Sequence, residues 1–304
     1  MINERRIQYF LAVCQEGNIT TAARKLYVSQ PALSRMIGDI EAELGSPLFL
    51  RDHDGVTLTR AGEIYRDTCL QIRSACEDMK RQIGDLAGRS DRVITLGFAN
   101  FTGDVVLPDV LERFRKCHPA TEVVLTEAMV SQLPDLVRRG MVDLALSYQS
   151  SDPELCYIPM TTEKIYLAVP ESFYGSREDF HLGFDNPPIS SGELRHRPFI
   201  LRKKGRAVRA LSDRLFAEYD IQPQVVFETG SANLSYLLTL KNEGFSLIPG
   251  IVAQYMSRNL GPGVFAQFRE EPLERTLYVC YRRDLYLSQA RKDMLAILHA
   301  VLNP

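Results

Sequence analysis

Four residues near the start of one short segment, Gln30, Pro31, Ser34 and Arg35, have side chains suited to reading the edges of bases. A glutamine amide pairs bidentately with adenine and an arginine with guanine. A serine exchanges a hydrogen bond with base or phosphate, and a proline offers apolar contact to a thymine methyl. Arg51 and Arg60 on the wing are phosphate-contact candidates, and Thr20 is a further DNA-contact candidate. A second constellation, Arg202-Lys203-Lys204-Gly205-Arg206, follows an apolar run. It is either a solvated basic loop or a set of cations of which at least one pairs a ligand carboxylate or phosphate.

Other chemistries lack their residues. The six cysteines, at 14, 69, 76, 117, 156 and 280, form no C-x-x-C and keep no zinc spacing with the histidines at 53, 118, 181, 196 and 299. His118, before Pro119, reads as a helix-end surface residue. There is no nucleophile elbow, no phosphate-binding Gly-Lys loop, no zinc-protease helix motif and no dinucleotide fingerprint. No catalytic residue, metal or cofactor is therefore expected, and isolated cysteines disfavour thiol sensing. The 304-residue chain has net charge -2, and residues 1–60 balance seven Lys/Arg against seven Asp/Glu. Any nucleic-acid contact must then come from local geometry rather than bulk charge. The start MINERRIQYFLAV carries charges where a secretory leader would need an apolar run, so no leader is expected. No run approaches the ~20 apolar residues of a membrane span. A cytoplasmic protein with mostly buried, reduced thiols is expected.

These side chains need elements to hold them. Ile7, Phe10, Leu11 and Cys14 share one helical face, which Gly17 ends. Thr20 or Asn18 caps a short second helix, with Ala22, Ala23 and Leu26 inward. Ser29 caps a third, whose buried stripe is Leu33, Ile37, Ile40 and Leu44 and whose end is Gly45. Two short strands flank Asp54-Gly55, a hairpin turn signal. Helix, turn, helix and wing together make a winged helix-turn-helix, with the third helix entering the major groove. The acids Asp39, Glu41 and Glu43 must then point away from phosphates or into their own domain. An ordinary three-helix bundle is the plainer alternative.

From Thr59 a longer helix carries Tyr65, Cys69, Ile72, Cys76, Met79, Ile83 and Leu86 at alternating steps of four and three. That is a heptad seam, expected to pair two copies as a coiled coil. After a hinge at 87–91, strands and helices alternate: strand 93–98, helix from about 106, strands at 122–127 and 142–147, then 165–169, 198–201, 225–228, 245–249 and 276–281. Short connections imply parallel sheet covered by helices, in two subdomains. The cleft between them is the natural place for a small ligand. Strand ends and helix starts nominate its lining: Asn100, Phe101, Thr102, Met129, Ser131, Arg202, Lys203, Lys204, Ser231 and Asn233.

Residues 10–62 resemble the N-terminal signature of LysR-type transcriptional regulators. The match runs through Phe10, Ala12-Val13, Ala22-Ala23, Leu26, Ser29 to Ser34, Ile37, Leu44-Gly45, Pro47-Leu48-Phe49, Arg51, Leu58-Thr59 and Ala61-Gly62. Leu107-Pro108, Phe114, Pro119 and Asp143-Leu144-Ala145 extend it diffusely into the remainder. Gly38, Asp39 and the acidic wing Asp52-His53-Asp54 depart from the family's basic tendency, which implies few phosphate contacts.

The resemblance implies an α/β chain in four parts. They are a mostly α winged helix-turn-helix (1–59), a linker helix (60–86), the hinge, and a periplasmic-binding-protein-like effector domain (92–304). Subdomain I covers about 92–161 and 270–304, and subdomain II about 162–269. It also implies double-stranded DNA, a small organic acid and RNA polymerase as partners, a homodimer or homotetramer, and no enzyme activity. The alternatives are a small-molecule receptor without DNA binding and an enzyme bearing a DNA-binding head.

Overall fold

The computed structural model describes residues 3–51, 55–86, 93–99, 102–148, 152–205 and 207–303. The expected hinge at 87–91, Asn100, Phe101, Arg206 and the wing tip Asp52–Asp54 lie outside the described residues.

The head is α1 (Glu4–Glu16), α2 (Ile19–Lys25), α3 (Gln30–Leu44) and a hairpin of β1 (Phe49–Arg51) and β2 (Val56–Leu58). Local chemistry sets its boundaries. Asn3, Asn18 and Ser29 each accept a backbone N–H as N-caps, while Gly17 and Gly45 end α1 and α3 at positive φ. The second cap is therefore Asn18, and Thr20 stands exposed inside α2. Ile7, Phe10, Val13, Leu33, Ile37 and Ile40 form the head core. Leu44, expected in the stripe, is 50% exposed. The last turn of α3 runs beyond the core it packs on.

Helix α4 (Arg60–Leu86) leaves the wing with Thr59 Oγ1 accepting the Gly62 N–H. A Cβ on Gly62 would lie 2.0 Å from the Leu48 carbonyl oxygen. Gly62→Ala is expected to destabilise the head by about 1–3 kcal/mol, as overpacking against backbone does. Thermal unfolding of the variant checks this, and an unchanged midpoint would refute it.

The heptad reading of α4 needs correction at its N-terminal end. Tyr65 and Cys69 are buried in the head core, the Tyr65 ring edge-on to Phe10 at 4.7 Å between centroids. Ile72 packs partly against the same core. Spacing identifies an apolar seam but not the surface that covers it, and here α1 covers these turns. Cys76, Met79, Ile83 and Leu86 remain exposed. A different face of α4, Ser74 and Asp78, is buried against the C-terminal part of the same chain. Gly140, at φ 67, makes that approach possible, because a Cβ there would lie 2.9 Å from Ser74 Cβ.

The C-terminal part holds β3 (Val93–Phe98), α5 (Thr102–Cys117), β4 (Glu122–Glu127), α6 (Leu133–Arg138), β5 (Leu144–Ser147) and β6 (Leu155–Val169). Then come α7 (Glu171–Tyr174), α8 (Ser191–Leu194), β7 (Pro198–Arg202), α9 (Ala207–Glu218), β8 (Gln224–Thr229) and α10 (Ala232–Leu240). It ends with β9 (Ser246–Pro249), α11 (Gly250–Asn259), β10 (Val264–Ala266), β11 (Glu274–Arg282) and α12 (Gln289–Leu302). The first sheet runs β6-β11-β5-β3-β4, parallel where β3 meets β4 and β5 and antiparallel at β11. β6 then continues past this sheet and pairs antiparallel with β9 and β10 in the second subdomain. The sheets are thus mixed rather than purely parallel. β6 and β11 are the two strands by which the chain crosses between subdomains, each with its own apolar core.

Candidate nucleic-acid interface and effector cleft

On α3 the buried residues Leu33, Ile37 and Ile40 fix which side looks outward. Gln30, Pro31 and Arg35 are exposed and Ser34 half-buried beside them. Arg35 has no ion-pair partner among the described residues. Two of the three acids of this helix are turned into their own domain. Glu41 accepts the backbone N–H groups of Leu48 (2.7 Å) and Phe49 (3.2 Å), and Glu43 pairs with Arg6 at 2.5 Å. The chain's amino terminus first, and Arg6 after it, hold the Glu43 carboxyl below its usual range. Asp39 is exposed. Arg51 and Arg60 are exposed at the wing and at the start of α4, Arg60 pairing with Glu63 at 2.7 Å. Sequence reasoning missed Tyr27, 96% exposed at φ 55 in the turn before α3. A bulky residue held at positive φ is the signal of a constrained turn, and propensity alone does not reveal it.

A cavity of about 410 Å³ opens between the subdomains, a size usual for small-molecule sites. Thr102, Arg202, Ser231 and Asn233 line it, as the sequence suggested. Met129, Ser131, Lys203 and Lys204 do not, and all four are exposed. Strand parity explains the split in the basic run. β7 ends at Arg202, whose Nη2 donates to the Gly230 carbonyl at 2.7 Å, and the lysines after it turn to solvent.

Sequence reasoning missed the floor of the cavity. Arg275 on β11 and Glu163 on β6 face each other in register, joined at 2.7 Å. The Arg275 guanidinium carbon lies 3.6 Å from the centre of the Tyr148 ring. The Tyr148 hydroxyl donates to Glu163 at 3.0 Å, and the other Glu163 oxygen accepts the N–H of Ile251 at the start of α11. Burial pushes the Tyr148 hydroxyl pKa up. Thr102, at the start of α5, meets that hydroxyl at 3.2 Å. One carboxylate thus ties helix starts from both subdomains across the crossing strands. A signal was available. Arg275 alternates in phase with buried Leu277 and Val279, and Glu163 with buried Ile165 and Leu167. Opposite charges at core parity on two strands point to a buried pair.

Burial raises the thiols of Cys14 and Cys280 to about 12 and that of Cys69 to about 11, which leaves them unreactive. No group of three or more metal-ligating side chains occurs among the described residues. No described helix is long and apolar enough to cross a membrane.

Comparison with known proteins agrees with both halves. The bacterial regulatory helix-turn-helix protein model of the lysR family matches residues 5–63, and the LysR substrate binding domain model matches residues 87–303. The Hca operon transcriptional activator HcaR of Escherichia coli is 29% identical over 303 residues, 97% of this chain and 96% of that protein. The uncharacterized regulator YcgK of Bacillus subtilis is 28% identical over 293 residues, 93% of this chain and 89% of that protein. Among solved structures, a full-length OxyR variant from Pseudomonas aeruginosa superposes with TM-score 0.75 at 18% identity, over 99% of this chain and 95% of that one. CbnR complexed with its target DNA superposes with TM-score 0.62 at 22% identity, over 99% of each chain. These likenesses support the fold, and the relatives are regulators rather than enzymes. The chain belongs to the LysR family of bacterial DNA-binding transcription regulators with a substrate-binding effector domain.

Proposed function

We propose that the first turn of α3 reads the operator sequence and that a small organic acid in the inter-subdomain cleft modulates the outcome. The outward Gln30, Pro31, Ser34 and Arg35 carry this reading, with Arg51, Arg60, Thr20 and Tyr27 as flanking contacts to the phosphate backbone. The test is a gel shift with the DNA upstream of the chain's own gene. The regulator reading expects a shift that unrelated DNA does not compete away, whereas a receptor that ignores DNA gives none.

The division into a head (1–59), linker (60–86), hinge (87–91) and effector domain (92–304) belongs to the same proposal. So does self-association into a dimer or tetramer. Met79, Ile83 and Leu86 remain exposed on α4 for a second copy. Strands β4 and β8, sheet edges among the described residues, add exposed Val124, Leu125, Val225 and Phe227. Acting on chromosomal promoters places the protein in the cytoplasm, with RNA polymerase as the partner that reads the altered geometry of the heads.

In the cleft, Arg202 and Arg275 supply the cations for an acidic effector. With the acid that alters the gel shift, Arg202→Ala is expected to weaken binding about tenfold or more, the scale of a lost charged hydrogen bond. Lys204→Ala is expected to leave it unchanged, because Lys204 faces solvent. Isothermal titration decides. Equal effects of the two substitutions would return the role to the loop as a whole.

A further inference from the structure

Among the described residues lining the cleft, Arg275 keeps an uncommitted guanidinium nitrogen and Asn233 a buried acceptor without a partner. Most of its polar groups are already committed. Tyr148 donates to Glu163, so the hydroxyl of Thr102 donates to Tyr148. Ser231 Oγ accepts from the Leu234 N–H, Ser235 Oγ donates to the Ser231 carbonyl, and Arg202 Nη2 donates to Gly230. Two groups remain. Arg275 spends Nε and Nη2 on Glu163, and its Nη1 meets no acceptor among the described residues. Asn233 Oδ1, in the first turn of α10, is buried with no hydrogen-bond partner among the described residues. A buried acceptor left unmade is costly, so its retention in a ligand cavity needs a reason.

We infer that the cleft takes a small carboxylate that also carries a hydroxyl or amine donor, the carboxylate on Arg275 and the donor on Asn233. This rests on the reading of the cleft as an effector site for organic acids. Complementarity requires both parts: a guanidinium edge needs an acceptor with negative charge, and an amide oxygen needs a donor. Asp104, exposed at the rim, favours a ligand with a donor over one bearing only carboxylate oxygens. An acid lacking the donor strands Asn233, and sites built around a ligand hydroxyl reject the analogue without it strongly.

The full-length chain is titrated by thermal shift with matched probes: lactate, alanine, propionate and lactamide, and mandelate, phenylacetate and mandelamide. Lactate, alanine or mandelate is expected to stabilise at concentrations at least tenfold below those of propionate or phenylacetate, and the neutral amides not at all. Asn233→Leu is expected to raise or preserve the melting temperature of the ligand-free chain and to shrink the discrimination below about twofold. A lowered ligand-free melting temperature, or discrimination that survives the substitution, overturns the assignment to Asn233. Equal binding of acids with and without the donor overturns the inference and leaves the effector reading standing. No stabilisation by any carboxylate overturns both.

Discussion

Asp78→Ala is expected to destabilise the chain by about 3–5 kcal/mol, the scale for removing one partner of a buried ion pair. Asp78 lies on the linker helix and accepts from Arg81 at 3.0 Å, Arg291 at 3.1 Å and Arg282 at 3.2 Å. Arg291 is fully buried, and donates also to Asp143 and to the Tyr286 carbonyl, each at 2.6 Å. Asp143 in turn accepts the Thr95 N–H at 2.8 Å. The cluster therefore stitches α4 to β3, β11 and α12. Deleting Asp78 leaves an excess of positive charge at the buried Arg282 and Arg291, with Arg291 and Arg81 sharing the half-buried Asp143. Water cannot screen that excess without opening the contact between helix and body. Urea unfolding measures the loss, and hydrogen exchange over Ser74–Leu86 should quicken in parallel. Glu77→Ala, one residue away on the outer face, is the control and should stay within about 0.5 kcal/mol. In a double-mutant cycle, Asp78→Ala and Arg291→Met should be markedly less than additive. Additive losses, or an Asp78→Ala effect no larger than that of Glu77→Ala, would show that the helix lies on the body without being held by it. Because these contacts tie α4 to the body, the same cluster is the place where a change in the effector domain is expected to be felt by the linker helix.

The head was legible because its determinants are local. Caps at Asn18 and Ser29, glycine ends at Gly17 and Gly45, and a 3.6-residue apolar period each act within a few positions. The body was legible as alternation and blurred where pairing is distant. Only Ile165–Val169 of β6 reads as a strand, yet β6 begins at Leu155. Its earlier part contains Pro159, Glu163 and Lys164, poor strand formers held by β11 more than a hundred positions away. Helix α5 starts at Thr102 rather than near Val106, with Gly103 against the Phe98 ring and Pro108 inside it. Propensity discourages a helix there, and packing overrides it. Helix α11 and strand β10 went unread altogether, because their apolar residues are short runs without a clear period. The cleft was half visible for the same reason. Helix starts nominate Thr102, Ser231 and Asn233, but the pair Arg275 and Glu163 exists only once two strands are in register.

Arg35→Ala is expected to cost about 1–3 kcal/mol of operator affinity, roughly 5- to 150-fold, and to flatten discrimination at one base pair. The expectation follows from how little else this head offers DNA. Its charges balance, seven against seven over residues 1–60, and Lys25 and Arg60 are already paired with Glu16 and Glu63. With few free cations the phosphate contribution is small, so base contacts must supply an unusual share of the binding energy. Arg35 is the exposed cation of the recognition turn, on the side opposite Leu33 and Ile37, and its rotamers are not committed to an acid. Two measurements separate base reading from simple charge. Arg60→Ala should weaken operator and random DNA alike, while Arg35→Ala should weaken the operator selectively. The salt dependence of wild-type binding should be shallow, with a log–log slope no steeper than about −8 per dimer. If Arg35→Ala reduces affinity for random DNA by the same factor, or the slope proves steeper, then phosphate attraction rather than the outward turn of α3 carries recognition.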